Sequence, residues 1–263
     1  LNIFLQKAEI NLLSLFLLAF LLVLCPRGLL ADELRVAVAS NFYSTIKVIA
    51  EHFELKTVSS SGQQHKVILI PGSSGKHYAQ IINGAPFDIF FSADTERARL
   101  LEQEGKVDSG TRFTYALGKL VLWSPIDNYV DLQGKVLSKK DFRYLAIANP
   151  KLAPYGKSAE EVLKSLKIWA SLKGRLVRGE NIAQTFQFVS SGNAKLGFVA
   201  YSQIRTPDHT TGGSFWEVPQ SIYRPIEQQA VLLKDSALAR EFLSFVKSDE
   251  SLSIIYESGY GLP

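Results

Sequence analysis

The chain has 263 residues, 46% of them hydrophobic and 21% charged, which excludes a disordered protein and allows a sizeable core divided between two lobes. With 29 basic and 25 acidic residues the net charge is +4, and no basic run is interleaved with aromatics, so a nucleic-acid partner is not expected. The single cysteine, Cys25, excludes a disulfide framework, and His52, His65, His77 and His209 lack paired ligand spacing, so no protein-bound metal is expected.

In chain order, Leu12 to Leu24 reads LLSLFLLAFLLVL, preceded by Lys7 and followed by Cys25-Pro26-Arg27-Gly28, with polar composition beginning at Asp32-Glu33. Its length and flanks predict a cleaved signal peptide over 1–31, because the apolar core falls short of the roughly 20 residues that span a bilayer. Cleavage after Ala31 removes Cys25 and with it any thiol chemistry. A lipid anchor at Cys25 is disfavoured by the bulk of Leu24 before it.

Leu34 to Ala39 is an apolar run suited to a buried strand, and Ser40 to Thr57 has helical spacing in Phe42, Ile46, Ile49 and Phe53. A second unit follows, with Val67–Ile70 as strand, Pro71 to Gly75 as turn, and Lys76 to Asn83 as helix, stopped by Gly84-Ala85-Pro86. Asp88 to Ser92 is a third strand, and Asp94 caps a charged helix running to Gly105. Three β-α units in series imply a mainly parallel sheet with helices on both faces.

The alternation resumes with an apolar run Leu120 to Trp123, a strand Tyr144 to Ala148, a helix Ala159 to Leu172, a short strand Leu176-Val177, a helix Asn181 to Val189 and a strand Leu196 to Ala200. Pro207 to Gly213 is a polar turn segment, Ile222 to Leu233 a strand region, and Ala237 to Tyr256 one long helix. Irregular stretches at Thr111–Ser124 and Gly213–Ile226 suggest two crossings between lobes. The first lobe is then residues 32–113 and 220–263, the second 114–219, with a cleft between them at the carboxyl ends of the strands.

Four strand-to-helix turns could wall that cleft: Ser40-Asn41, Ser73-Ser74, Pro154-Tyr155-Gly156 and Glu180-Asn181-Ile182. Ser40 and Ser74 offer hydroxyl donors, and the N–H groups of Asn41, Tyr155 and Ile182 can point from first helical turns, an arrangement suited to an anion. Each turn read singly is an ordinary helix cap. Gly72-Ser73-Ser74-Gly75-Lys76 fails the nucleotide-binding pattern, since Ile70 stands where its first glycine belongs and His77 follows the lysine. Ser74 with His77 could form a nucleophile–base pair of an exported serine hydrolase, against the plainer reading of His77 as a surface residue. Asp88 and Asp94 are read as capping or backbone-pairing residues.

Taken together, Val38-Ala39-Ser40-Asn41, Gly72-Ser73-Ser74-Gly75-Lys76, Gly84-Ala85-Pro86-Phe87-Asp88 with Ser92-Ala93-Asp94, Ala148-Asn149-Pro150 with Ala153-Pro154-Tyr155-Gly156, Arg178 to Thr185, Gly192 to Ala200 and the terminal Gly259-Tyr260-Gly261-Leu262-Pro263 run in order across nearly the whole chain after the leader. This set resembles the periplasmic molybdate-binding proteins of ABC transporters. The resemblance implies a two-lobe α/β periplasmic-binding-protein fold, type II-like, closing on molybdate or tungstate with Ser40, Asn41 and Ser74 from one lobe and Tyr155 and Ile182 from the other. It implies no enzyme activity, no cofactor, a periplasmic location and a membrane permease as partner; a monomer is expected. Some members add a tyrosine hydroxyl at the end of the strand that here reads Gly197-Phe198-Val199-Ala200, with Tyr201 beside it, and Asn41 is the expected substitute. A receptor for sulfate or another tetrahedral oxyanion is the alternative within the class.

Overall fold

Short apolar runs that alternate with amphipathic segments bury themselves as strands between helices, and the chain does this twice. A computed structural model describes residues 32–61, 65–206 and 209–263; the expected signal segment 1–31 lies outside them. In chain order the strands are β1 (Glu33–Ala39), β2 (Lys66–Gly72), β3 (Ile89–Ser92), β4 (Phe113–Gly118), β5 (Leu120–Ser124) and β6 (Leu145–Ala148). They continue with β7 (Leu176–Gly179), β8 (Leu196–Ala200), β9 (Arg205–Thr206), β10 (His209–Thr210), β11 (Ser214–Glu217) and β12 (Ile226–Leu232).

Two five-stranded sheets result, ordered β2-β1-β3-β12-β4 and β11-β5-β8-β6-β7, beside a small β9-β10 hairpin. In the first, β1 runs parallel to β2 and β3, while β12 is antiparallel to both β3 and β4. In the second, β6 is parallel to β7 and β8, while β5 is antiparallel to β8 and β11. The β-α units supply the parallel half of each sheet. The strands that carry the chain between lobes supply the antiparallel half, so both sheets are mixed. β4 leaves the first sheet at Gly118 and β5 enters the second at Leu120, placing the first crossing at Lys119. This lies beyond the 113/114 division drawn from sequence, because Phe113–Gly118 pairs with β12 and stays in the first lobe.

Each lobe buries its own core. In the first, Phe42 packs its ring 4.5 Å from Tyr115, 5.5 Å from Tyr260 and 5.8 Å from Phe91. In the second, Leu122, Ile147, Val162, Leu172 and Phe198 are buried together between sheet and helices. The helices start where side chains satisfy their first N–H groups: Ser73, Asp94, Asn181, Ser236 and Ser248 each accept from the residue three ahead. The last cap corrects the single C-terminal helix: Ser248, followed by the acidic pair Asp249-Glu250, divides it into Ala237–Val246 and Asp249–Glu257. Likewise the helix expected from Ala159 begins at Pro154, whose fixed φ suits a first helical position, and ends at Ser165 before Lys167 turns left-handed at φ 59°. A separate short helix, Trp169–Leu172, completes that segment.

Candidate anion site between the lobes

Four helix starts face one another across the cleft. The turn Ser40–Phe42 ends β1 and the turn Ser73-Ser74 ends β2. Across from them stand the first residues of the helices Pro154–Ser165 and Ile182–Ser190, which follow β6 and β7. Together they line a small cavity, and Ser40, Asn41, Ser74, Tyr155 and Ile182 all belong to its wall.

The polar groups on the wall are donors. Ser74 Oγ accepts from Ala93 N at 2.9 Å and Ser40 Oγ accepts from Ala183 N at 3.4 Å, which leaves the O–H of each to donate elsewhere. Among the described residues no protein group accepts from the N–H of Asn41, Ser74, Tyr155 or Ile182. At Ser74, Tyr155 and Ile182 this follows from position, since the first N–H groups of a helix lack an intrahelical acceptor. Three helix dipoles present their positive ends here as well, from Ser74–Ile82, Pro154–Ser165 and Ile182–Ser190. The wall contains no carboxylate and no lysine or arginine.

The lobes are in contact around this cavity. Gly75 N donates to Leu152 O at 2.8 Å, Ser202 Oγ to Asn41 O at 3.3 Å, and Arg97 Nη2 to Lys151 O at 3.1 Å. Exposed ion pairs Lys76–Glu180 (2.9 Å) and Lys157–Glu96 (3.0 Å) span the rim, where screening by water leaves each worth about 0–1 kcal/mol. A wider surface hollow near Glu96, Lys157, Glu161 and Arg224 has its cations already paired to its carboxylates, which leaves no free charge to hold an ion.

Several expectations are corrected. The Asn41 amide nitrogen does not replace a tyrosine at the cavity: it donates to Gln228 Oε1 at 2.7 Å and to the Tyr260 hydroxyl at 3.1 Å, leaving the backbone N–H as the cavity-side donor. Tyr201 lies outside the wall, its hydroxyl accepting from Arg205 and its ring beneath Lys119. His77 is buried, not a surface residue, and Ser74 donates nothing to it; the helix cap is Ser73. Asp88 pairs with backbone as expected, accepting from Arg35 N at 2.7 Å. Sequence reasoning missed Gln228, Tyr115 and Tyr260, which back the wall; the available signal was the polar run Glu227-Gln228-Gln229 at the head of a strand that ends Ala230-Val231-Leu232. Burial holds the Tyr115, Tyr155 and Tyr260 hydroxyls above the ordinary phenol range, so they remain neutral donors. No group of three or more His, Cys, Asp or Glu among the described residues could hold a metal ion, and none of their helices is long and apolar enough to cross a membrane.

His77 carries a pH consequence. Its Nδ1–H donates to Gln80 Oε1 at 3.1 Å, while Nε2 is buried without a hydrogen-bond partner among the described residues, under Gly72, where an added Cβ would come within 2.6 Å of it. Burial pulls its pKa below the ordinary 6.5, with the neighbouring Lys76 charge acting in the same direction and the Gln80 bond opposing. A base depressed in the folded state contributes stability that is present above its unfolded value and lost as pH falls through the folded one. Denaturant titrations between about pH 7.5 and about pH 5 should show stability falling with acid, with a shallower slope in His77→Leu; an unchanged slope would remove His77 as the cause.

Two mixed sheets, joined by two crossings and closed on a donor-lined cavity, define a two-lobed α/β solute-binding protein. Residues 34–261 match the bacterial extracellular solute-binding protein family, and the chain belongs to it. It is 48% identical over 255 residues to the molybdate-binding protein ModA of Azotobacter vinelandii, covering 94% of this chain and 99% of that one. It is 46% identical over 233 residues to the protein of the same name from Rhodobacter capsulatus, covering 88% of each. Among solved structures, the Azotobacter vinelandii periplasmic molybdate-binding protein superposes with a TM-score of 0.82 at 42% identity, over 88% of this chain and 99% of that one.

Proposed function

We propose that this chain is an exported, non-enzymatic receptor that captures molybdate or tungstate between its lobes and delivers it to the membrane permease of an ABC transporter. The observation that carries the reading is the donor-only wall: two free hydroxyls and four free N–H groups, three of them in first helical turns, with no carboxylate among them. Ser40, Asn41, Ser74, Tyr155 and Ile182 are the proposed ligand-binding residues. Each hydrogen bond to a charged group is worth about 1.5–3 kcal/mol, so a fully ionised tetrahedral dianion is held without a counter-cation. The similarity to molybdate-binding relatives supports the choice of ion. A hydrolase is disfavoured because among the described residues no base is hydrogen-bonded to Ser74, and the nearby His77 pairs with Gln80 instead.

Closure links binding to docking, since only the closed state juxtaposes the two lobe surfaces that a permease would read together. One chain supplies the whole wall, so a single copy suffices. Residues 1–31 are the proposed export signal and the periplasm the proposed location. The decisive experiment is a thermal-shift series with molybdate, tungstate, sulfate and phosphate. Ligand at a thousand times its Kd stabilises by about 4.1 kcal/mol. Molybdate and tungstate should raise the Tm; phosphate should not, because its protonated form buries an O–H without an acceptor at a cost of about 1–3 kcal/mol. No shift with any oxyanion would overturn the reading, and sulfate alone would select the alternative receptor.

A further inference from the structure

Behind the cavity, side chains from both lobes converge on Gln228, which is fully buried on β12. The pairing of β12 with β4 slips in register between Gln228 and Gln229, an irregularity of the kind that re-aims a side chain. Gln229 goes to the Arg112 and Thr114 side chains, while Gln228 turns toward the hinge. Its Oε1 accepts from Asn41 Nδ2 at 2.7 Å and from the Tyr115 hydroxyl at 3.1 Å. Its Nε2 donates to the Tyr155 hydroxyl at 3.4 Å. A Cβ added to Gly118, the last residue before the crossing, would strike the Tyr155 hydroxyl and come within 2.9 Å of Gln228 Nε2.

Asn41 belongs to the first lobe and Tyr155 to the second, and each has a free backbone N–H at the cavity. Their side chains meet on one glutamine beside the hinge. An amide suits that place because it accepts from two donors and donates to a third without ionising. We propose that Gln228 is a positioning residue for oxyanion binding, holding Asn41 and Tyr155 through one side chain and thereby setting the separation of the two half-walls. This rests on the reading of the cavity as the oxyanion site.

The test compares wild type, Gln228→Met, Tyr155→Phe and the double variant. All carry spin labels on cysteines placed at the exposed Lys106 and Ser165, one in each lobe, with Cys25→Ser added in any protein that retains residues 1–31. Pulsed dipolar spectroscopy on ligand-free protein should show a broader interlobe distance distribution in each variant; wild-type width in both would overturn the proposal. In calorimetric titration with molybdate, each single variant should lose about tenfold in affinity, and the double variant should be no weaker than Gln228→Met alone. Wild-type affinity in Tyr155→Phe, or losses that add in the double variant, would likewise overturn it. Tyr155→Phe deletes one hydroxyl and keeps the backbone donor, so the relay is tested even if Gln228→Met fails to fold. If molybdate binds no protein in the series, the oxyanion reading fails, while the distance measurement still decides the relay.

Discussion

Ser74→Ala should lower molybdate affinity by about 10–100-fold in calorimetric titration, the equivalent of one hydrogen bond to a charged acceptor at about 1.5–3 kcal/mol. The Ser74 side chain is buried, and its oxygen is already occupied as an acceptor by Ala93 N at 2.9 Å. That bond holds the oxygen in place and leaves its proton free to donate to an acceptor in the cavity. The same substitution leaves Ala93 N–H unpaired, so the ligand-free protein should lose about 1–3 kcal/mol as well. Affinity and ligand-free stability therefore need separate measurement. Wild-type affinity in a folded Ser74→Ala protein would take Ser74 out of the wall.

A backbone donor can be removed almost as cleanly at Ile182. It is the first residue of its helix, where proline is well accommodated, and Asn181 before it has φ −139° and ψ 177°, the extended region that a residue preceding proline prefers. Ile182→Pro deletes the N–H while the Asn181 cap to Gln184 N at 2.9 Å persists. Its affinity should fall by about 10–100-fold, by the same charge-assisted bond. Ile182 is also buried in the second core, so Ile182→Val serves as the packing control, with an expected stability loss of about 0.5–1.5 kcal/mol and near wild-type binding. Equal affinities for the two variants would show that this N–H is not a ligand donor.

Much of the fold could be read because the signals are local. Asp94 and Asn181 cap the helices expected of them, and Leu34 to Ala39 and Leu196 to Ala200 form strands where short apolar runs end at turns. The strands β4 and β11 were not legible. Phe113–Gly118 and Ser214–Glu217 have mixed composition and hold their places through pairing with β12 and β5, partners distant in sequence. The long C-terminal helix was overread because Phe242, Phe245, Val246, Leu252 and Ile255 keep a helical period across the break, while Ser248 stops one helix and starts the next.

The candidate wall divides in the same way. Hydroxyls and small residues at the ends of apolar strands mark Ser40, Ser74 and the helix starts at Tyr155 and Ile182 as candidate anion-binding turns, because the unpaired N–H groups of a first helical turn are a property of the local chain. That the turns meet in one cavity, that the Asn41 amide nitrogen faces away from it, and that His77 lies buried beneath Gly72 depend on contacts between residues far apart in sequence. The link through Gln228 is of this kind: its partners lie 73 to 187 residues away, and no local spacing records them. Sequence by itself determined which turns carry free donors. Tertiary packing alone decided which donors share a cavity, since convergence is set by sheet order and by the two crossings of the chain.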